Sequence, residues 1–509
     1  MKPSPQRLSP NLIRIEDTCN VYLVTRGPRA IAIDFGSGAW LSSMASLGIE
    51  QLDHVFLTHH HADQCAGLQT MTRRAFTAHA PGGEERFLDP SRMQDLVGET
   101  AHIAKGCPES YSVLPGGISG VKYDMTGFSD VFWGDARIRF LHTPGHGPSA
   151  CSIIVDVDGK QAVFCGDAFH HGGTLWEPFN LEWDHWTGKG ALAAWEGVER
   201  LRGIRVDLLC PSHGPVVSDT AQHELALLSR RLMAFYHAKG QISPNEPDLY
   251  LAPAFVPGAR LVLPKLYQFG GNGYLLLSEN NEALIVDPYN GDMPMMETLL
   301  ETLPDVRPTA MVVSHYHYDH CDAIPYLRRK YGAKAYLHPI VASPLRSPRS
   351  LPAPWLLPDI IEPDELWPER GKWQWNEYGF QVAAWAGQTW GHCVFMTIID
   401  GKKVAFGGDS FQPTSRWNGT GGFCAYNRSR FLEGFVDSAR LILSWQPEII
   451  VNGHGTYMTF SPSKFKKIIQ WARKAEKATR ALCPAGDLER HYYNTSAAGV
   501  NPHVAFDVW

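Results

Sequence analysis

The chain has 509 residues, of which 44% are hydrophobic and 19% are charged, and its formal net charge is −6. This composition excludes a disordered or fibrous protein, and the length predicts two large domains or three ordinary ones in place of a single core. The acidic balance and the lack of a run of Lys and Arg argue against a polynucleotide partner.

The sequence carries no sign of a secretory or membrane destination. It contains neither the apolar core of a signal peptide nor a run of about 18 apolar residues that could cross a bilayer. The ten cysteines are scattered without Cys-x-x-Cys pairs, which favours reduced thiols over disulfides. We therefore predict a cytoplasmic protein.

The predicted elements of the first half are short strands that lead into a histidine-rich motif. Residues 20–24 and 30–34 predict two strands around a Gly-Pro turn, and 55–57 runs into Thr-His-His-His-Ala-Asp-Gln-Cys-Ala-Gly at 58–67. Further along, 162–167 predicts a strand that ends in Gly-Asp. A last apolar run at 208–211 is followed by Ser-His-Gly.

The same plan repeats about 250 residues later. Predicted strands at 272–277 and 283–287 precede 311–313, which leads into Ser-His-Tyr-His-Tyr-Asp-His-Cys-Asp-Ala at 314–323. A helix is predicted at 323–331. Strands at 404–409 and 449–451 then lead into a second Gly-Asp and a Gly-His-Gly. Agreement in both order and spacing indicates an internal duplication.

Other segments set the domain organisation. Residues 220–237 and 463–482 predict amphipathic closing helices, and four prolines within 240–258 predict a linker. The predicted domains are therefore 1–245 and 246–509. Residues 84–112 predict a partly helical insertion that either covers the first-half site or is a surface excursion. Seven prolines within 343–368 predict an extended segment with no helix.

The second half carries side chains typical of a site for two metal ions. Alternation along an extended turn points both histidines of His-x-His the same way, while the Asp-His that follows begins a helix and faces a neighbouring position. The next histidine follows a glycine-rich loop, and the later Asp and His each end an apolar strand. The predicted ligands are His315, His317, Asp319, His320, His392, Asp409 and His454.

Five imidazoles and two carboxylates suit two divalent ions of borderline softness, such as zinc. Two such ions acidify a shared water to hydroxide near neutral pH. Asp319 is the predicted catalytic carboxylate, which orients that hydroxide or accepts its proton. The predicted allocation is His315, His317 and His392 for one ion, Asp319, His320 and His454 for the other, and Asp409 between them.

The first half carries the same ligand types with one exception. Gln64 stands where the second half has His320, and a carboxamide oxygen is a poorer zinc ligand than an imidazole. We therefore predict one or two ions there, the second weakly bound or absent, with iron or manganese as alternatives to zinc and Asp63 as the catalytic carboxylate. A site kept only for structure is the other interpretation. The predicted ligands are His59, His61, Asp63, Gln64, His146, Asp167 and His213.

With these motifs, residues 12–480 resemble the metallo-β-lactamase fold superfamily. The resemblance implies an α/β (α+β) fold of two tandem αββα sandwiches, with metals in a shallow groove at the edge between the sheets. It implies a metal-bridging carboxylate at Asp167 and Asp409, as in glyoxalase II-like, lactonase-like and tRNA-processing members. True β-lactamases lack that Asp. Flavodiiron proteins have Glu at the positions of His61 and His317 and carry a flavodoxin domain, so the resemblance argues against both.

The preferred function is a metal-dependent hydrolase that uses a metal-bridging hydroxide to cleave an ester, lactone, thioester or amide in a small molecule. A small-molecule phosphodiesterase is the alternative for the same ions. For the first half, the alternatives are a mononuclear-iron thiol or persulfide oxygenase and a non-catalytic binding or dimerisation module. Loops at 176–186 and 411–423 are predicted to line the sites. Homo-oligomerisation is left open, and neither nucleic acid nor membrane is an expected partner.

Overall fold

The computed structural model describes most of the chain. The described residues are 4–71, 73–92, 117–127, 130–176, 189–240, 249–346, 360–387, 391–411, 433–455 and 457–482. Outside them lie most of the predicted insertion (93–112), most of the two predicted loops (177–186 and 412–423) and the middle of the proline-rich segment (347–359).

The first half begins with a seven-stranded sheet in which sequential strands are neighbours. Its strands are Ser4–Ser9, Leu12–Glu16, Asn20–Arg26, Arg29–Ile33, Gln51–Phe56, Thr77–Pro81 and Val121–Met125 (β1–β7). β1 to β4 run antiparallel and β4 to β7 run parallel. Both faces of β3 are buried, because Leu23 packs in one core cluster with Leu68 while Tyr22 packs in another with Phe164.

A second sheet of five strands faces the first. Its strands are Val131–Trp133, Ala136–His142, Cys151–Val157, Lys160–Gly166 and Leu208–Pro211 (β8–β12). Only β11 and β12 pair in parallel, and the other pairs are antiparallel. The Phe164 ring on β11 lies 5.0 Å from the Tyr22 ring on β3, so these side chains form part of the core between the sheets.

The second half repeats this plan with an eight-stranded and a seven-stranded sheet. Its strands are Leu249–Tyr250, Ala254–Val256, Ala259–Leu263, Leu266–Phe269, Gly273–Leu277, Glu282–Val286, Arg307–Val312, Lys334–Leu337, Glu365–Leu366, Arg370–Trp375, Tyr378–Ala384, Cys393–Ile399, Lys402–Phe406, Ile449–Val451 and Tyr457–Thr459 (β13–β27). β14 to β21 form the first sheet in sequential order. β13 and β22 to β27 form the second, in the order β13-β27-β26-β25-β24-β23-β22.

Helices cover the outer faces of the sheets. In chain order they are Ala62–Gln69, Glu85–Leu88, Lys189–Arg202, Ala221–Gly240, Met293–Glu301, Tyr318–Cys321, Ile324–Tyr331, Pro339–Arg346, Glu433–Trp445 and Pro462–Leu482 (α1–α10). Short 3₁₀ turns lie at Ala39–Ser43, Ala45–Leu47 and Asn290–Asp292. The helices predicted at 220–237, 323–331 and 463–482 are confirmed as α4, α7 and α10, with ends that agree to within three residues.

The prediction of an extended segment with no helix at 343–368 is wrong at its beginning. Helix α8 continues to Arg346 and contains Pro344. A proline at this position removes a single backbone hydrogen bond. Val341, Ala342 and Leu345 form a fully buried apolar stripe on this helix, and their packing outweighs that loss.

The predicted linker at 240–258 is also shorter than expected. Leu249–Tyr250 pairs with β27, and Ala254–Val256 pairs with β15, both antiparallel. Pro253 and Pro257 therefore separate short strands that already belong to second-half sheets. Residues 241–248 lie outside the described part, and the domain limits 1–245 and 246–509 stay a prediction.

The two halves share one layer of helices. A single core cluster contains side chains from α3 and α4 of the first half and from α9 and α10 of the second. The Trp471 indole nitrogen on α10 donates to the Ala238 carbonyl on α4. Each half is thus a pair of sheets between helices, as the αββα prediction requires, and the halves meet through their helices.

Two further sequence predictions concern the described residues. Seven cysteines lie in them, all buried and none in a disulfide, which agrees with reduced thiols. No helix within these residues is both long enough and apolar enough to cross a membrane.

Candidate metal centres

Each histidine motif lies on the turn between a parallel strand and a short helix. β5 ends at Phe56 and β19 at Val312, and after bends in both loops the residue before the helix is extended. That residue is His61 (φ −61°, ψ 146°) before α1 and His317 (φ −62°, ψ 142°) before α6. The ring centroids of His59 and His61 lie 4.6 Å apart and those of His315 and His317 lie 4.5 Å apart, so both histidines of each His-x-His point to the same side.

Four predicted ligands of the first half meet at one buried point. They are His59, His61, His146 and Asp167, each with an atom within 4.8 Å of the others. The Oδ2 atom of Asp167 lies 3.5 Å from His59 Nε2 and 3.4 Å from His146 Nε2. Three imidazoles and one carboxylate at such spacing suit a divalent ion such as zinc.

The chemistry of this group fits a cation. His59 Nε2 and Asp167 Oδ1 are buried and have no hydrogen-bond donor among the described residues. Burial, reinforced by His146, holds the pKa of His59 well below its usual range, so the ring is neutral and keeps a lone pair. Buried acceptors without a donor cost free energy, and a bound cation would remove that cost.

Gln64 alters the second group of the first half, which contains Asp63, Asp167 and His213. His213 Nε2 lies 2.8 Å from Asp63 Oδ2. The Gln64 amide nitrogen donates to Asp167 Oδ2 at 3.3 Å and lies 3.4 Å from His213 Nε2. A donor therefore occupies the place where an imidazole would offer a lone pair, and this group has one histidine where its second-half counterpart has two.

Six of the seven predicted ligands of the second half fall into two groups. The groups are His315, His317 and Asp409, and Asp319, His320 and His454. Asp409 lies between them, because it belongs to the first group while its Oδ1 is 3.5 Å from His320 Nε2 and its Oδ2 is 3.0 Å from His454 Nε2 of the second. A carboxylate in contact with both groups is the arrangement expected between two neighbouring ions.

His392 is the predicted histidine ligand that the structure leaves outside these groups. Its ring stacks on His315, with centroids 4.9 Å apart and an interplanar angle of 13°. The backbones of these two residues form an antiparallel bridge, which holds the rings face to face. His146, at the equivalent place, does lie within its group. The second-half group contains the Asp409 counterpart of Asp167 but no counterpart of His146.

Two buried aspartates support the histidine turns from behind, and the motif pattern did not identify them as site residues. In the second half this residue is Asp287, at the end of β18. It accepts the Ser314 backbone N–H at 2.6 Å, and its Oδ2 lies 3.2 Å from His320 Nδ1. A carboxylate on one ring nitrogen orients the other nitrogen toward a metal. The Asp that ends the second strand of each repeat is the sequence feature that could have revealed it.

The equivalent first-half residue, Asp34, has different partners. Its Oδ1 accepts the Thr58 backbone N–H at 2.8 Å, and its Oδ2 accepts the Ser212 hydroxyl at 3.1 Å. Gly453 stands at the place of Ser212 in the second half. Ser212 thus satisfies the carboxylate oxygen that His320 approaches in the other half, which is how the first half accommodates Gln64.

This difference predicts the metal capacity of two variants. Gln64→His alone should add little zinc, because the new ring finds its orienting carboxylate oxygen already bound by Ser212. Gln64→His combined with Ser212→Gly should add about one ion per chain. Metal content after dialysis measures both, with Ser212→Gly alone as the control. Equal zinc uptake by the single and double variants would contradict the role given to Ser212.

The two central carboxylates also differ in protonation. Burial acts to raise the pKa of Asp409, but His454 and His320 hold that pKa well below its usual range. Burial raises the pKa of Asp167 to about 7, against the opposing effect of His213. His454 and His320 both lower the pKa of Asp409, whereas His213 and the uncharged Gln64 amide are the groups that lower that of Asp167, so Asp409 is the better-compensated anion.

Side chains outside the predicted ligand set contact the first-half centre. Trp176 stacks on His213 at 4.3 Å and 9°, and the neighbouring Leu175 N–H donates to the Leu482 carbonyl of α10. The end of α10 in the second half therefore binds the residue next to the one that covers a first-half ligand. Of the loop predicted at 176–186, only Trp176 is described.

The start of the predicted insertion contacts the same histidine turn. Glu84 Oε2 lies 2.7 Å from His60 Nδ1, and both side chains are fully buried. The His60 ring also stacks on Phe87 of α2 at 4.0 Å. His60 is not among the predicted site residues, although its position between His59 and His61 is a sequence feature that could have indicated a role at the site. It attaches the first turn of the insertion to the metal-binding loop.

Comparison with known proteins connects this geometry to relatives. The chain is 24% identical over 234 residues to "Atrochrysone carboxyl ACP thioesterase" of Aspergillus chevalieri. This alignment covers 43% of this chain and 61% of that protein. It is 35% identical over 160 residues to "Hydroxyacylglutathione hydrolase" of Dechloromonas aromatica. That alignment covers 29% of this chain and 57% of the relative. The chain thus spans less than two thirds of either relative.

Solved structures and a family model also match. The metallo-beta-lactamase SMB-1 aligns with 45% of this chain and 94% of its own, at 16% identity and a TM-score of 0.35. The model described as "Metallo-beta-lactamase superfamily" matches residues 14–239 and 266–454. These segments make up most of the chain and contain every predicted ligand of both halves. The chain therefore belongs to the metallo-beta-lactamase superfamily through both of its halves.

Proposed function

We propose that this chain is a metal-dependent hydrolase whose second half cleaves a carbonyl-type bond in a small molecule, with thioesters as the first class to test. The main observation that supports this proposal is the position of Asp409. Its two carboxylate oxygens contact His320 and His454, while the same side chain groups with His315 and His317. Each side of Asp409 can then hold one ion, and zinc is the proposed metal.

The exposure of the ligands indicates where a substrate enters. His315 and His320 are fully buried. The side chains of Asp319 and His454 are 19% and 48% exposed. The open side of the centre is therefore the side of Asp319 and His454, and a substrate carbonyl would approach from there.

Asp319 is the proposed acid-base group on that open side. Ions bound in the two groups would acidify a water and polarise the substrate carbonyl. Asp319 would take the proton as the water oxygen bonds to the carbonyl carbon. When the carbon–sulfur or carbon–oxygen bond breaks, the same carboxyl group would return the proton to the leaving thiol or alcohol.

The names of two relatives favour thioesters within this class. One is a thioesterase and the other hydrolyses a hydroxyacylglutathione, whose acyl group is attached to sulfur. Both likenesses cover part of the relative, so they support the type of bond and not a particular acyl group. The proposal for the first half is a single ion at His59, His61, His146 and Asp167. An oxygenase or a non-catalytic module there, iron or manganese in place of zinc, and a cytoplasmic location stay predictions.

A substrate panel tests the proposed function. The zinc-loaded full chain is assayed with a chromogenic acyl thioester, an acyl ester and a phosphodiester, beside Asp409→Ala. We expect thioester turnover that falls at least about 100-fold in the variant, because a ligand common to both groups is lost. Turnover of the phosphodiester alone would contradict the proposal and support the phosphodiesterase. Oxygen consumption with a thiol, by the iron-loaded chain, would support the oxygenase.

A further inference from the structure

Asn272 lies beside two predicted ligands of the same ion in the second half. It precedes β17 and is 3% exposed. Its side-chain nitrogen donates to the Asp319 carbonyl at 2.8 Å and to Asp319 Oδ2 at 3.1 Å. Its side-chain oxygen accepts the His454 backbone N–H at 2.7 Å. One carboxamide thus connects Asp319 to His454, which lie far apart in the sequence.

The Asn272 backbone is itself held in place. Asp292, just before α5, accepts the N–H groups of Gly271 and Asn272 at 2.9 and 2.8 Å. Gly270 has a φ of 58°, and a Cβ there would lie 2.2 Å from the Asp292 side chain, so only glycine fits. The turn at 270–272 is therefore fixed from behind, and the Asn272 amide faces the ligands in one orientation.

The contact of Asn272 with Asp319 has no first-half equivalent. Asn20, at the same place in the repeat, donates to the Pro211 and Gly214 carbonyls at 2.9 and 2.8 Å. These bonds hold the backbone around His213 and do not involve Asp63. Asp63 instead places its Oδ2 2.8 Å from His213 Nε2. In the second half the corresponding Asp319–His454 distance is 4.0 Å.

We propose that Asn272 is a positioning residue for the second-half metal centre. Its N–H holds Asp319 Oδ2 away from direct contact with His454, which leaves a gap for an ion between carboxylate and imidazole. Because Oδ2 is also the Asp319 oxygen nearest to His320 and His454, the donated hydrogen bond sets its direction toward that ion. Groups that orient metal ligands in this way typically change affinity by about 10–100-fold.

The test measures zinc affinity with a competing chromophoric chelator, using the full chain with Asp167→Ala, which removes a ligand common to both first-half groups. We expect Asn272→Ala to weaken the second-half affinity by about 10–100-fold. Asn272→Ser should lose as much, because its shorter side chain places no N–H donor beside Asp319. Asn20→Ala is the matched control and should leave this affinity unchanged.

Two further measurements separate positioning from a general structural role. The absorption spectrum of the cobalt-loaded centre should change in Asn272→Ala and stay the same in Asn20→Ala, although both variants lose backbone hydrogen bonds. In an Asp319→Ala background, Asn272→Ala should weaken zinc binding no further. Unchanged affinity in both Asn272 variants, or an equal loss in Asn20→Ala, would overturn the inference.

The inference rests on the proposed metal centre, and the two can fail separately. If the Asp167→Ala chain with its second half intact binds no zinc, the metal centre of the proposed function is wrong. If that chain binds zinc and the Asn272 variants bind it equally well, the centre stands and only the positioning role is lost.

Discussion

Asp319→Ala is expected to lower kcat for the thioester by about 10³-fold or more, while the matched substitution Asp63→Ala leaves it within about twofold. Asp319 combines a place in a complete ligand group with 19% side-chain exposure. The Asp63 side chain is 5% exposed and its Oδ2 already contacts His213. Steady-state kinetics, with zinc content measured on the same samples, test the pair.

The comparison separates the alternatives for the first half. Equal losses in the two variants would mean that both halves take part in one reaction, and the proposed division would be wrong. A loss confined to Asp63→Ala would move hydrolysis to the first half. Unaltered circular dichroism in both variants is the control, since each residue begins a short helix and its loss could disturb the turn.

The sequence could predict the ligand types because they depend on local order. A strand that ends at Phe56 or Val312 must deliver the next residues to the sheet edge, so His-x-His-x-Asp can be recognised without tertiary information. The Gln64 exception was equally visible, and its consequence is physical: an amide N–H donates to Asp167 where the His320 imidazole lies beside Asp409.

Orientation could not be predicted in the same way. Whether His392 turns a nitrogen or a ring face toward His315 depends on the bridge between distant segments. Asp287 contacts His320, 33 positions later in the sequence, and Asn272 contacts Asp319, 47 positions later. No sequence periodicity indicates contacts between residues so far apart. Packing also overrode a local rule at Pro344, where a buried apolar stripe keeps α8 helical.

The partner of a helix is a further feature that periodicity leaves open. The sequence predicts α4 and α10 as the closing helices of separate halves. In the structure their apolar faces pack against each other. Leu232 and Phe235 of α4 join Phe465 and Ile468 of α10 in one cluster. An amphipathic pattern predicts that one face of a helix is buried, but it does not identify the element that packs against that face.

Trp471→Ala should therefore destabilise both halves, by about 3–5 kcal/mol. The indole is 5% exposed, packs in the cluster shared by the halves and donates to the Ala238 carbonyl across the junction. Its removal leaves a cavity between the two halves, and the α4 carbonyl loses its donor. Hydrogen exchange of core amides measures the effect, with β3 reporting on the first half and β17 on the second.

A cavity of similar kind within one half provides the control. Leu299 on α5 is fully buried in a core cluster made only of second-half residues. Leu299→Ala should lower the opening free energy of β17 by about 2–5 kcal/mol and that of β3 much less. If Trp471→Ala also spared β3, the shared helix layer would not couple the stabilities of the halves. If both strands lose protection together, the duplication has produced a single folding unit, in which the first half stabilises the second whether or not it binds a substrate.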